Sequence, residues 1–268
     1  MALMASIIFV VAALTFREYT NPPIAAVVGS QNVPVEATST PPQLYPYLEV
    51  IDGCGPYYAG GVCVNMRSGP GTEYPVVAKL RTGMVLKIAE TVARDGREWY
   101  KIEQDNEVRY PERITSDWYV AAEVVRLLQD DGDHRLARAV RETTVKNIIV
   151  DVSEEMLYAY NGNILFMQQP ISTGLEFTPT PRGTFTVYKM TPSRFMQGPL
   201  PGVSDQEYDL PGVPWNLYFT KDGAVIHGAY WHDHFGEPWS HGCVNLPPDK
   251  AEELYVWAEV GMTVTVQD

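Results

Sequence analysis

The sequence predicts a mostly β protein of two folded units, a small barrel followed by a larger β unit with one helix late in the chain. Three observations support this. The apolar runs are short and evenly spaced, 21 Gly and 21 Pro punctuate them, and only one stretch carries a sustained helical stripe. Short strands at regular spacing with turn signals between them mark barrels and sandwiches. Of the 268 residues, 45% are hydrophobic and 20% charged, so packed cores are available and general disorder is excluded. Lys and Arg number 20 against 33 Asp and Glu, a net charge of −13. A general nucleic-acid binder needs a basic footprint, and this chain has none.

Residues 1–19 read as a signal or anchor segment. Residues 2–16 are apolar apart from Ser6 and Thr15. That is short of the ~20 residues a spanning helix needs, and it suits the apolar region of an export signal. No basic residue precedes it, Arg17 and Glu18 follow it, and no A-x-A site marks a cleavage point. The alternative is a buried N-terminal helix of a cytosolic protein. Residues 20–47 carry six Pro (22, 23, 34, 41, 42 and 46) without a periodic apolar pattern and read as a tether. This order implies an extracytoplasmic protein, secreted or tethered to a membrane through its N-terminus.

The first unit spans 48–128, with strands expected at 62–66, 76–80, 85–91, 98–102 and 118–121. Ser68-Gly-Pro-Gly71 and Asp95-Gly96 supply turns. Cys54 and Cys63 enclose a short loop suited to a disulfide in an oxidising compartment; a metal hook would need two more ligands nearby. Pairing of these two leaves Cys243 as the free thiol. Residues 129–143 form a connector, where Asp133 is placed to cap a short helix running to about 141.

The second unit spans 144–268. Strands are expected at 146–152, 156–160, 164–171, 184–189, 217–219, 224–227 and 262–266, with Asn161-Gly162 as a hairpin turn. Pro247-Pro248 opens a helix whose Ala251, Leu254, Tyr255 and Ala258 face the core, and Gly261 ends it. Residues 192–214, with five Pro and three Gly, read as a long loop of lid type.

Four of the five His and one Cys fall within 17 residues: His227, His232, His234, His241 and Cys243. Three readings compete. In the first, Cys243 is a nucleophile in a tight turn permitted by Gly242, the amides of His241, Gly242 and Cys243 form an oxyanion hole, and His227 is the base. A backbone carbonyl or Asp233 would orient that base. In the second, His232, His234, His241 and Cys243 ligate zinc, although no Cys-x₂₋₄-Cys or His-Glu-x-x-His pattern is present. In the third, these are surface or hydrogen-bonded loop residues.

Two resemblances bear on these readings. Cys63-Val-Asn-Met-Arg-Ser-Gly-Pro-Gly-Thr72, with Gly83, Trp99-Tyr-Lys and Trp118-Tyr-Val, resembles the bacterial Src-homology-3-like domain. This implies either wall or peptide binding through aromatics or a spacer that orients the unit after it. Ile226-His-Gly228 followed by Ser240-His-Gly-Cys-Val-Asn245 resembles the L,D-transpeptidase family, the YkuD-type catalytic domain. So do the segment 149–160, Ile171-Ser-Thr-Gly174 and Thr178-Pro-Thr-Pro-Arg-Gly-Thr-Phe185.

The second resemblance implies a β-sandwich-like catalytic domain acting on peptidoglycan stem peptides without a cofactor or metal, and acylated by carbapenem-type inhibitors. Cys243 would attack the stem and expel terminal D-Ala, and an amine or water would resolve the thioester. His227 would be general base and acid, oriented by the Gly228 carbonyl. His241, Gly242 and Cys243 would supply the oxyanion hole, and Ser240 and Asn245 would brace the turn. Tyr208 would be the lid aromatic, and Trp231 and Trp239 cleft walls alongside Trp215, Tyr230 and Phe235, with core packing the role of at least half of these five. Arg182 would meet a stem carboxylate or stabilise its own turn.

Overall fold

Alternating burial along short strands gives the first unit its form. The computed structural model describes residues 43–135 and 145–268. Within it, β1 (Tyr45–Val50), β2 (Val64–Arg67), β3 (Val76–Leu80), β4 (Val85–Arg94), β5 (Arg97–Ile102), β6 (Tyr119–Ala121) and β7 (Val125–Asp130) make one sheet in the order β3-β2-β6-β5-β4-β1-β7. Leu48, Val50, Met66, Leu80, Met84, Ile102 and Val120 fill its interior. Cys54 and Cys63 form a disulfide that ties the loop after β1 to the start of β2.

The five strands expected here are present, and two more flank them. β1 takes in residues 45–47, which the Pro content had assigned to the tether. Pro46 is tolerated because β1 pairs with β4 only from Tyr47 onward, so its missing N–H leaves no acceptor on that side. The signal or anchor segment and the tether up to residue 42 lie outside the described residues. So does the connector from residue 136. The part of the connector that is described is not helical: β8 (His134–Arg135) pairs with the second unit's sheet at Lys189 and Met190.

The second unit holds two five-stranded sheets. One runs β11-β10-β9-β17-β12, from β9 (Lys146–Asp151), β10 (Met156–Asn161), β11 (Ile164–Pro170), β12 (Gly183–Thr186) and β17 (Thr263–Gln267). The other runs β16-β15-β14-β13-β8, from β13 (Lys189–Leu200), β14 (Ser204–Tyr218), β15 (Val225–Gly228) and β16 (Val244–Leu246). Ile148, Val150, Leu157, Leu217, Ile226, Val244 and Leu246 belong to the core they share with helix α1 (Pro248–Trp257), which buries Ala251, Leu254 and Tyr255. The helix stops at Ala258, which is extended (ψ 165°), before Gly261 is reached.

The expected loop at 192–214 is instead a long hairpin, β13 with β14. Its prolines are accommodated by irregularity: the register slips between Arg194 and Met196 and again between Gly198 and Leu200. Pro211 and Pro199 fall at these slips, and Pro201 lies in the turn, where no ladder bond is lost.

This hairpin also docks the two units together. Asp105 accepts the Phe195 N–H (3.0 Å), Tyr110 N–H donates to Gln197 Oε1 (2.8 Å), the Tyr110 hydroxyl donates to Pro199 O (2.8 Å), and Arg113 donates to Gly198 O (2.7 Å). Val213 and Tyr230 are part of the barrel's core cluster. Gly212 sits at φ 65°, where an added Cβ would lie 2.7 Å from Val85 O. Gly212→Ala is therefore expected to cost about 1–3 kcal/mol through φ strain and loss of this close approach, read as a lower denaturant midpoint. Gly202→Ala, at φ 77° with open space around it, is expected to cost less; equal costs would mean that the docking contact contributes nothing.

Candidate active site

A parallel strand pair positions the two residues singled out for chemistry. β15 and β16 pair in the register Ile226↔Val244, His227↔Asn245 and Gly228↔Leu246. One step back, Cys243 stands opposite Val225, so Cys243, Val225, His227 and Asn245 share a face of the sheet. With strands ~4.8 Å apart and ~3.3 Å per residue, Cys243 and His227 are diagonal neighbours at roughly 8 Å between Cα atoms. Both line one open cavity of about 850 Å³, together with Tyr208, Trp231, Trp239, Ser240, His241 and Gly242.

His227 is 1% exposed, and its Nδ1 lies 3.1 Å from the Gly228 carbonyl. This contact sets Nδ1 as the protonated nitrogen and leaves Nε2 with a free lone pair. The carbonyl, not Asp233, is thus the group beside the imidazole. Burial drives the His227 pKa down to about 4, opposed by the Gly228 contact. Burial likewise pushes the Cys243 thiol up, while the Val225 amide and the Arg194 charge pull it down. The thiol points at the Gly223 carbonyl, 3.9 Å away. At neutral pH the resting pair is therefore an uncharged thiol and an uncharged imidazole.

The turn before the sulfur is held by Ser240. Its hydroxyl donates to the Cys243 carbonyl (2.6 Å) and accepts the Gly242 N–H (3.1 Å). Gly242 adopts φ 112°, which favours glycine. This corrects the expected oxyanion hole: the Gly242 amide is taken by Ser240, and among the described residues the amides of His241 and Cys243 are the ones without an acceptor. Tyr208 stacks on the His241 ring at 6.3 Å with planes 5° apart, and Trp231 lies 5.7 Å from the His227 ring. Trp239 is half-exposed and stacks on His234 at 3.8 Å.

Asn245 does not brace the turn by contact with it. Its amide lies 2.8 Å from Nε2 of His232, while His232 Nδ1 accepts the His234 N–H at 3.2 Å. A neutral imidazole has one donor and one acceptor, so with Nδ1 accepting, Nε2 carries the proton; as placed, Asn245 turns Nδ2 toward it and leaves Oδ1 without a partner, and turning the amide over makes the pair complementary. The zinc reading fails on these contacts. His232 is held by Asn245 and His234 by Glu237, and among the described residues no three potential ligand atoms converge at Cys243.

Of the two roles expected for Arg182, the contacts favour the turn-stabilising one over the stem carboxylate. It pairs with Asp268 (2.7 Å) and donates to the Thr180 carbonyl (2.8 Å), outside the cavity. Of the other aromatics, Trp215 and Tyr230 are core residues, and Trp215, Tyr230 and Phe235 are all absent from the cavity lining. Sequence reasoning missed three contributors. Glu155, buried, accepts the Thr173 N–H (2.7 Å), and the Thr173 carbonyl in turn accepts the Trp239 and Ser240 amides. Arg194 and Arg109 line the cavity, and no local motif marks either.

Residues 146–266 match the model of the L,D-transpeptidase catalytic domain, and residues 61–110 that of the bacterial SH3 domain. The second unit belongs to the L,D-transpeptidase family, and the first is a bacterial SH3 domain. A probable L,D-transpeptidase 3 of Mycobacterium tuberculosis is 33% identical over 103 residues, 37% of this chain and 38% of its own length. The chain thus spans well under half of that curated relative. Similar solved structures include an L,D-transpeptidase from Mycobacterium smegmatis (21% identity, 68% of this chain and 99% of that chain, TM-score 0.44). Others are the catalytic domain of the Enterococcus faecium L,D-transpeptidase (28%, 45% and 95%, 0.40) and L,D-transpeptidase 3 from Mycobacterium tuberculosis with a faropenem-derived adduct (18%, 68% and 98%, 0.43).

The buried imidazoles set an acid limit. Folding lowers His227 and His232 to about 4 from an ordinary value near 6.5. Between these values the unfolded chain binds more protons, so stability falls as pH drops from about 6.5 toward 4. Urea midpoints are expected to decline across that window, and His232→Gln is expected to decline less steeply. It should also lose about 1–3 kcal/mol at pH 7 through the unpaired Asn245 amide. Equal slopes for the two proteins would contradict the placement of His232.

Proposed function

We propose that the second domain is a peptidoglycan L,D-transpeptidase acting through a Cys243 thioester, outside the cytoplasm. The observation that carries this is the neutral Cys243–His227 pair facing one open cavity beside two unpartnered amides. Nε2 of His227 takes the thiol proton as Sγ bonds to the carbonyl carbon of the stem's third residue. The carbonyl oxygen becomes an oxyanion that the His241 and Cys243 amides receive. On collapse the C–N bond to terminal D-Ala breaks, and His227 returns its proton to the leaving amine. The amine of a second stem then attacks the thioester, the C–S bond breaks, and the proton goes back through His227 to the sulfur. Tyr208, stacked on His241, covers the oxyanion side. Side chains and backbone supply the whole sequence, without a metal or cofactor. The Cys54–Cys63 disulfide supports an oxidising compartment.

Incubation with imipenem followed by intact-mass measurement tests this reading. The wild type is expected to gain one inhibitor mass, Cys243→Ala none, and His227→Gln the same mass roughly 10²–10⁴ times more slowly. No adduct on the wild type would point to a non-catalytic wall-binding protein, and an adduct on Cys243→Ala would place the nucleophile elsewhere.

A further inference from the structure

We propose that Arg194 and Arg109 form a carboxylate receptor in the catalytic cavity, one arginine from each domain, that reads the C-terminal carboxylate of the donor stem. The inference rests on the transpeptidase reading and deepens it by naming how the leaving residue is recognised.

Arg194 lies on β13 with its guanidinium 5.3 Å over the Tyr218 ring. Its Nε is buried without a hydrogen-bond partner; the guanidinium otherwise meets the Tyr218 side chain and feels the Asp105 charge, and no carboxylate among the described residues lies within salt-bridge distance of it. Arg109 is exposed on the loop between β5 and β6 and is likewise without an ion-pair partner among the described residues. Both line the cavity that holds Cys243. Both charges act on Tyr208, pulling down a hydroxyl that burial has raised to about 12, and Arg194 acts on the sulfur as well.

The nearest acids are engaged elsewhere. Asp105 accepts the amides of Glu107 and Phe195, and Glu107 pairs with Lys189. Asp222 also lines the cavity, at its exposed rim. In a chain of net charge −13, two unpaired arginines converging on one cavity call for an anion from outside.

The chemistry of the donor supplies one. The leaving residue is terminal, so its carboxylate sits one Cα beyond the scissile nitrogen, within a few ångströms of the attacking sulfur. Arginine binds carboxylates with charge-assisted and commonly paired hydrogen bonds. A receptor there selects stems in which one residue follows the scissile amide. It also gives the first domain a direct part in substrate binding.

The test compares a tetrapeptide stem ending in free D-Ala with the same peptide ending in D-alaninamide, reading kcat/KM for release of the last residue. The wild type is expected to favour the acid by roughly tenfold or more. Arg194→Gln is expected to bring the ratio close to one by slowing the acid far more than the amide, and Arg194→Lys to restore part of it. Arg109→Gln, at an exposed position, is expected to lower the ratio by a smaller factor. Arg182→Gln, outside the cavity, should leave it unchanged. Equal use of both peptides by the wild type would overturn the receptor while leaving the transpeptidase reading in place. A proportional loss on both peptides in Arg194→Gln would reduce Arg194 to a structural residue. Turnover of neither peptide by the wild type would overturn the reading beneath and the receptor with it.

Discussion

The parallel pairing of β15 with β16 is the constraint on which the rest of the site depends. Parallel neighbours cannot be joined by a tight turn; they need a crossover of about a dozen residues or more. Here the crossover is the segment 229–243, and it carries Trp231, His232, Trp239, His241 and finally Cys243. The same connection that satisfies the sheet therefore builds the cavity wall and delivers the sulfur to the face that already holds His227. A slip of one residue in this register would turn Cys243 to the opposite face, and Ser240, closing its two bonds across the turn, works against such a slip.

Burial then sets the electrostatics. A preformed thiolate–imidazolium pair would need two charges at a site whose desolvation opposes both. The structure keeps both groups neutral and leaves charge to develop on the substrate oxygen. Arg194 is a cation at the cavity with no carboxylate among the described residues within salt-bridge distance. It moderates the cost of a sulfur anion, and on the proposed reading it awaits one from the substrate. The first domain holds the hairpin that carries Arg194 and Tyr208 through Asp105, Tyr110 and Arg113.

Much of this was legible in the sequence because local chemistry decided it. Alternation and turn residues marked the strands, Pro247-Pro248 marked the helix start, and Ser240-His-Gly-Cys-Val-Asn245 marked the turn. What escaped was set by partners distant in the chain. The prolines of 192–214 read as a loop, since nothing local shows that register slips would absorb them into a hairpin. Arg182 stands in a local motif, while its ion-pair partner, Asp268, lies 86 residues away. Arg109 and Arg194 gain meaning only once two domains are docked. The competition between Ser240 and an oxyanion for the Gly242 amide is likewise a matter of ångströms that spacing does not encode.

The central claim is that His227 removes the proton from an uncharged Cys243 during attack. The pH dependence of Cys243 alkylation by iodoacetamide tests it most directly, because the other two cysteines are held in a disulfide. The account expects slow alkylation at neutral pH that rises through and beyond the ordinary thiol range near 8.5. A fast plateau extending down to pH 5–6, abolished by His227→Gln, would reveal a resting ion pair and contradict it.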